Sequence, residues 1–399
     1  MCVSLVGESR TGRDKRVPPK VEAVKMHPVV QVLHSLECGG AERLALRLAQ
    51  GLAADYATTF VCLDTGGLLA AEAEHSSCGV HVLNRRPGLD WSCRRRLRRL
   101  LGEIRPAVIL AHQYTPFFYS SLARGLSGSP PIIFVEHGRH FPDPRKPLRV
   151  LANRLLFGRR DAVIAVAESV KQAVICKEGI PSHRIHVIPN GIDPQPYLAA
   201  AALRGTTRHE LGLADDEVAL IQVARLDHLK DHNTAIAAVE QITHDRVRLL
   251  IVGDGPEESQ IRQRVSQSPV RERFRLLGYR RDIPNLLAAA DIFLLSSVSE
   301  GLPVTVLEAM AAALPIVTTD VGDLGKTVID GRTGFLVPPR QPETMARVLE
   351  KLCGSPELRR QLGLAGRSLL LAKFTEEAMH IAYRKLIQDV LRSHPHKGD

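Results

Sequence analysis

Glu300 and Glu308 stand eight positions apart in the segment SEGLPVTVLEAMAAALPIVTT (299–319), and Glu308 is the only charged residue between Gly301 and Thr319. A carboxylate left unpaired in so apolar a run is costly, so it needs hydrogen-bond donors. These come either from a neighbouring part of the fold or from a ligand rich in hydroxyls, such as a ribose. Gly301 relaxes the turn after a buried strand, and Pro303 suits the first turn of a helix. The free N–H groups at that helix start can hold a phosphate. A helix-capping acid followed by a structural glutamate fits the same residues, and the segment alone does not separate the two readings.

Arg225 and Lys230 lie in VARLDHLKD (223–231), where a strand runs into a loop. Two cations at the carboxyl end of a strand suit a diphosphate. One unit-charge pair at contact is worth about 4 kcal/mol at an effective dielectric of 20, against about 1 kcal/mol for a neutral hydrogen bond. Negative charge grows on a departing diphosphate, so such cations serve catalysis as well as binding. A solvated surface pair is the ordinary alternative.

In the first half, Gly39 and Gly40 follow the first strand and open a helix, where backbone can approach an anion closely. A tight strand-to-helix turn explains them equally well. PIIFVEHGRHF (131–141) puts Glu136, His137 and Gly138 at another strand end. There His137 either packs structurally or bonds a sugar hydroxyl or a reacting group; the polar loop continued by Arg139 and His140 favours access. Two look-alikes fail. VGDGPEE (252–258) has Glu258 where a dinucleotide fingerprint has its third glycine, and GDLGKT (322–327) has Asp320 where a phosphate-binding loop has its first. No D-x-D pair occurs, and no metal is expected.

The elements that must position these residues alternate. VVQVLHS (29–35), TTFVCL (58–63), AVILAH (107–112), PIIFVE (131–136) and DAVIAVA (161–167) read as buried strands, with helical spacing over 41–53 and 91–104. After VIPNGIDPQPY (187–197) the pattern restarts with VALIQVA (218–224), RLLIVG (248–253), RFRLLG (273–278), DIFLLS (291–296) and PIVTT (315–319). Apolar strands separated by helices predict parallel sheets covered on both faces. The reading is a flexible tail over 1–26, a first α/β domain over 27–200 and a second over 201–375, with ligands beyond the carboxyl ends of the strands.

Of the 399 residues, 44% are apolar and 24% charged, enough to fill two cores. Aromatics at 4% argue against stacking platforms for single-stranded nucleic acid. Residues 1–200 hold 27 Lys+Arg against 17 Asp+Glu and so carry the whole net charge of +10, which points to an anionic partner for that half. No nucleic-acid motif accompanies the charge, and no nucleic-acid partner is expected. On the 91–104 helix, Arg94, Arg95, Arg96, Arg98 and Arg99 could face an anionic membrane, or simply water. The seven cysteines are scattered and never spaced C-x-x-C, as befits reduced thiols in a cytosol. Neither a signal peptide nor a membrane span is legible. The expectation is a cytoplasmic chain, peripheral at most on the inner face of a membrane.

Together GGAER (39–43), EHGR (136–139), IPNGID (188–193), ARLDHLKD (224–231), VGDGPE (252–257), LGYRRDIP (277–284) and EGLPVTVLEAM (300–310) resemble the retaining GT-B glycosyltransferases of family GT4, over nearly all of 28–393. The spacing of Glu300 and Glu308 matches that family's E-x7-E signature. Ala224 departs mildly, since glycine is commoner there. The resemblance implies two Rossmann-like domains facing across a cleft, with a C-terminal helix (376–392, in a segment running to 399) crossing back to the first. It implies a nucleoside-diphosphate sugar donor, a hydroxyl acceptor and no cofactor; the basic excess of residues 1–200 favours an acceptor that is phosphate-linked or membrane-borne, such as a lipid-linked one. Gly39 and Gly40 would then approach the donor phosphates, and His137 the transferred sugar. Arg225 and Lys230 would bind the diphosphate, and the backbone at Tyr279 and Arg280 the base. Glu300 would take sugar hydroxyls, Gly301, Leu302, Pro303 and Val304 would give backbone contacts, and Glu308 would hold the ribose. The rival readings are a nucleotide-sugar epimerase of the same fold and a non-catalytic nucleotide-sugar-binding partner of a polysaccharide assembly complex.

Overall fold

The computed structural model describes residues 26–37, 39–125, 128–138 and 144–392. Most of the 1–26 tail, Cys2, Cys38, Arg139, His140 and the last seven residues lie outside this set.

Two wholly parallel sheets carry the chain. The first orders its strands β3-β2-β1-β4-β5-β6-β7: β1 (His27–Leu33), β2 (Tyr56–Cys62), β3 (Gly79–Val82), β4 (Val108–His112), β5 (Ile132–Glu136), β6 (Ala162–Ala165) and β7 (Ile185–Val187). The second runs β10-β9-β8-β11-β12-β13: β8 (Val218–Val223), β9 (Val247–Val252), β10 (Phe274–Gly278), β11 (Ile292–Leu295), β12 (Ile316–Thr319) and β13 (Gly334–Val337). Central strands such as β8 are buried along their whole length, because helices cover both sheet faces. In each sheet the strand order reverses once, between β1 and β4 and between β8 and β11. Ligand crevices open at such points, beyond the carboxyl ends of the strands.

The architecture is the two-domain Rossmann-like one that the resemblance implies. Three strands were not expected: β3, β7 and β13. All three are sheet edges. They are short; a histidine interrupts β3 (GVHV) and β7 (IHV), and the apolar stretch of β13 (GFLV) is only three residues long.

Helix Glu376–Arg392 packs on the first sheet's helix Gly40–Leu52, burying Met379, Tyr383, Leu386, Ile387 and Val390 with Leu44, Leu48 and Leu52. Arg384 ties it down by donating from Nε to Asp55 at 2.7 Å. The two crossing strands of chain meet at Ile192, whose N–H donates to Phe374 O at 3.0 Å and whose carbonyl accepts from Glu376 N at 2.9 Å. The helical run from Gln195 to Glu210 packs on helix Ile283–Ala289 of the second sheet. The five described cysteines form no disulfide.

Candidate active site

Lys230 donates to Glu300 Oε1 at 2.6 Å, and Ser297 Oγ donates to the same oxygen at 2.6 Å. Glu300 sits in the loop after β11, Lys230 in the loop after β8, the neighbouring strand. Buried Ser296 locks the two together: its Oγ lies 3.0 Å from Lys230 O and 2.8 Å from Asp231 O. Asp231, in the left-handed region at φ 44°, then caps helix His232–Glu240 by accepting from Thr234. Glu300 Oε2 has no bond among the described residues, so one carboxylate oxygen stays available.

Arg225 is held differently. Its side chain is 71% exposed, with the nearest carboxylate, Asp227, 4.0 Å away. Its backbone is fixed: His232 Nε2 lies 3.2 Å from Arg225 O, and Leu226 N donates to Asp254 O at 2.7 Å. The VGDGPE segment is therefore a buttress. Gly253, at φ +141°, lets it pass beneath Ala224, where a side chain would strike the Ala224 carbonyl. GDLGKT plays the same part for the other loop, since Gly322 at φ +59° lies against the Glu300 carbonyl.

Glu308 follows on helix Val304–Ala311, whose N-cap is Pro303, one position before the first turn expected for it. The donors it needs come from elsewhere in the fold. Tyr197 OH donates to Glu308 Oε1 at 2.8 Å, and Arg47 and Arg43 lie close enough to oppose its protonation. Burial nonetheless pushes the Glu308 carboxyl up. Its Oε2, like that of Glu300, makes no bond among the described residues.

The first half closes over this set. A Cβ on Gly301 would stand 2.9 Å from the His137 carbonyl oxygen and 3.4 Å from Gly138 Cα, so the backbone of His137 and Gly138 lies directly against Gly301, the residue after Glu300. Gly40 faces Val304: a Cβ there would meet its Cγ2 at 3.9 Å. Arg43, one turn along, donates to Tyr279 OH at 3.1 Å across the cleft. Arg280 pairs its guanidinium with Asp282, donating from Nε to Oδ1 at 2.7 Å and from Nη2 to Oδ2 at 2.5 Å. Burial pushes the His137 imidazole down to about 4.

A cavity of about 320 Å³ opens beside Glu300, between Ser169 and Val170 of the first half and Ser299 and Gly322 of the second. A larger one, about 550 Å³, lies at the amino ends of β1, β4 and β5, lined by His27, Ala107 and Pro130. That is the wrong end of a parallel sheet for this chemistry, and the smaller cavity is the one among the converging residues. Among the described residues, no group of three His, Cys, Asp or Glu could hold a metal ion.

The comparisons with known proteins agree with this geometry. A model of the family described as Glycosyl transferases group 1 matches residues 204–369, and one described as Glycosyltransferase Family 4 matches residues 38–196. The chain belongs to the GT4 family of GT-B glycosyltransferases. The N-acetyl-alpha-D-glucosaminyl L-malate synthase of Bacillus anthracis is 30% identical over 247 residues, 61% of this chain and 64% of that protein. The UDP-Gal:alpha-D-GlcNAc-diphosphoundecaprenol alpha-1,3-galactosyltransferase of Escherichia coli is 28% identical over 251 residues, 60% of this chain and 65% of that one. Each match therefore spans less than two thirds of the relative. HepE of Anabaena, solved in complex with UDP-glucose, superposes with a TM-score of 0.80 at 21% identity, over 92% of this chain and 100% of that one, a likeness of fold.

This GT4 chain also uses residues that sequence reasoning passed over. Asn190 donates to Leu302 O at 2.8 Å and so pins the turn before helix Val304–Ala311. Asp323 reaches from the second half to the first, accepting from Glu168 N at 2.7 Å and Ser169 N at 3.0 Å. Gln31 and His112 lie behind His137. The signal was a polar residue inside an apolar strand, as in VVQVL and VILAH; Tyr197 and Asp323 gave none, since their partners are more than a hundred positions away.

Proposed function

We propose that this chain transfers a sugar from a nucleoside-diphosphate sugar to an acceptor hydroxyl, keeping the anomeric configuration. The observation that carries the reading is the pairing of Lys230 with Glu300, with the Glu300 Oε2 oxygen left over. A cation and a hydrogen-bond acceptor thus sit side by side, as a sugar attached to a diphosphate requires.

In this reading Arg225 and Lys230 grip the diphosphate. The N–H groups of Gly301, Leu302 and Val304 face a phosphate, while Pro303 has none to give. Glu300 Oε2 accepts from sugar hydroxyls and Glu308 Oε2 from the ribose. Gly39 and Gly40 let the first half approach the phosphates, backbone at Tyr279 and Arg280 holds the base, and His137 meets the transferred sugar. The bond from the anomeric carbon to the diphosphate oxygen breaks, its electron pair leaving with the phosphate. The acceptor oxygen bonds to that carbon from the same face, and its proton passes to the departing phosphate oxygen. The protein supplies position and positive charge. Two cations take the place of a divalent metal, so full activity in EDTA is expected.

The acceptor in this reading is a phosphate- or lipid-linked hydroxyl compound of polysaccharide or glycolipid assembly. Supporting it are the basic excess of residues 1–200 and the diphosphoundecaprenol acceptor in the name of the E. coli relative. Attachment to the inner face of a membrane would use helix Trp91–Ile104. Leu97 and Leu101 are buried there, while Arg95, Arg98 and Arg99 are exposed beside Trp91, itself 55% exposed. No helix among the described residues is long and apolar enough to cross a membrane.

The test is a thermal-shift panel of UDP, GDP, ADP and their sugars, followed by transfer to an added acceptor with the product's anomer determined. Stabilisation by one base and a product of retained configuration are expected. Donor isomerisation without transfer, or no stabilisation by any nucleoside diphosphate, would overturn the reading.

A further inference from the structure

Behind His137 runs a chain of hydrogen bonds that begins at a backbone carbonyl. Gln31, fully buried in the middle of β1, has its Nε2 3.1 Å from Ala45 O on helix Gly40–Leu52. Gln31 Oε1 lies 2.8 Å from His112 Nε2, and His112 Nδ1 lies 2.9 Å from His137 Nε2. The two imidazoles are joined edge to edge in nearly one plane, their centroids 5.1 Å apart and their rings inclined by only 9°.

Each link has one permitted direction. A carbonyl can only accept, so the amide NH₂ end of Gln31 faces Ala45, and its oxygen must face His112. His112 Nε2 must then carry a proton to donate. Burial keeps His112 from protonation, so its Nδ1 holds a lone pair and accepts. His137 must therefore donate from Nε2, and its proton inventory is settled: Nε2 bears the hydrogen, and Nδ1 is left with a lone pair. No described protein group bonds that Nδ1, and His137 is only half-buried.

We propose that Gln31 and His112 are positioning residues that fix His137 as a hydrogen-bond acceptor towards the substrate, so that the site reads a hydroxyl by the proton it donates to His137 Nδ1. This rests on the glycosyl-transfer reading for its substrate, while the proton order is independent of it. An acceptor at this point discriminates sharply, because a sugar that presents no hydroxyl leaves the lone pair unmatched.

The proton order is tested on the full-length, substrate-free protein labelled with ¹⁵N-histidine. In ¹⁵N–¹H correlation spectra at pH 7, the proton between the two rings is expected to show its one-bond coupling to His137 Nε2, with His137 Nδ1 unprotonated. A bridging proton on His112 Nδ1, or a doubly protonated His137, would overturn the proposal. Gln31→Met removes the acceptor and is expected to lose this signature and several-fold in kcat, with the donor KM within about twofold. Gln31→Glu, kept neutral by full burial, has a carbonyl to accept from His112 and a hydroxyl to donate to Ala45 O, and is expected to restore the signature; failure of the glutamate to differ from methionine counts against the relay. With deoxy and deoxyfluoro donors, both analogues should be equally poor at the position His137 reads, because neither donates. A fluoro donor that outperforms its deoxy counterpart would show that His137 donates instead. If the spectra hold and no donor is turned over, it is the transfer reading that fails.

Discussion

Tyr197 donates a 2.8 Å hydrogen bond to Glu308, and the two residues stand 111 positions apart. The bond holds a half-buried carboxylate on the helix of the E-x7-E segment while leaving one of its oxygens unspent. Glu300 repeats the arrangement, with Lys230 and Ser297 sharing Oε1. Two acids are thus anchored by one oxygen and open at the other.

Tyr197→Phe removes the anchor of Glu308. A hydrogen bond to a charged group contributes about 1.5–3 kcal/mol. The expected result is a nucleoside diphosphate Kd raised by about tenfold, since roughly 1.4 kcal/mol is one decade. Isothermal titration checks it, and an unchanged Kd would separate Glu308 from the nucleotide.

Arg225→Ala and Lys230→Ala are each expected to lower kcat by about 10²–10³, the scale of losing one group that meets developing charge. Lys230→Ala also strips Glu300 of its ion pair, so Glu300→Gln is the companion variant. Turnover measured beside the circular dichroism melt tells lost chemistry from lost fold.

Asp323→Ala breaks the contact between the halves at Glu168 and Ser169. Losing a cap of this kind costs about 1 kcal/mol. The expected outcome is a more open pair of domains, seen as a larger radius of gyration by small-angle scattering, and a lower kcat.

Acid should act through buried His112 and half-buried His137. Burial pushes His137 down to about 4 from the ordinary 6.5, and His112 falls by burial and then by the neighbouring His137. A depressed folded-state pKa means that the unfolded chain takes up protons first. Stability is therefore full above about pH 6.5 and is lost as pH falls through about 4. Urea midpoints between pH 7 and pH 4.5 should drop, and His137→Gln should flatten that slope even if it lowers the midpoint at pH 7.

Neutralising Arg95, Arg98 and Arg99 together should reduce co-sedimentation with vesicles containing anionic lipid. Arg94 and Arg96 make poorer targets, since Arg94 Nε donates to Leu122 O at 2.9 Å and Arg96 Nη1 to Ser92 Oγ at 2.9 Å. Equal sedimentation of the variant would remove the membrane role.

Much of this molecule was legible in one dimension. Buried parallel strands are continuous apolar runs, so ten of the thirteen strands announced themselves, and loops after them could be singled out for chemistry. Glu308 was visible because charge is conspicuous in an apolar run, and Arg225, Lys230 and Glu300 because they lie in loops that directly follow apolar strands. The three missed strands, β3, β7 and β13, are edges of three or four residues, too short to form a run, whereas the edge strand β10 was legible from its RFRLLG segment. Tyr197, Asn190, Asp323, Gln31 and His112 were not legible, since their work depends on what stands opposite them across a sheet or cleft. Local sequence determines where a side chain leaves the backbone, through propensity and pattern. Only the tertiary fold decided which oxygen of each glutamate was spent, and which nitrogen of His137 carries the proton, since a hydrogen bond takes its direction from both partners.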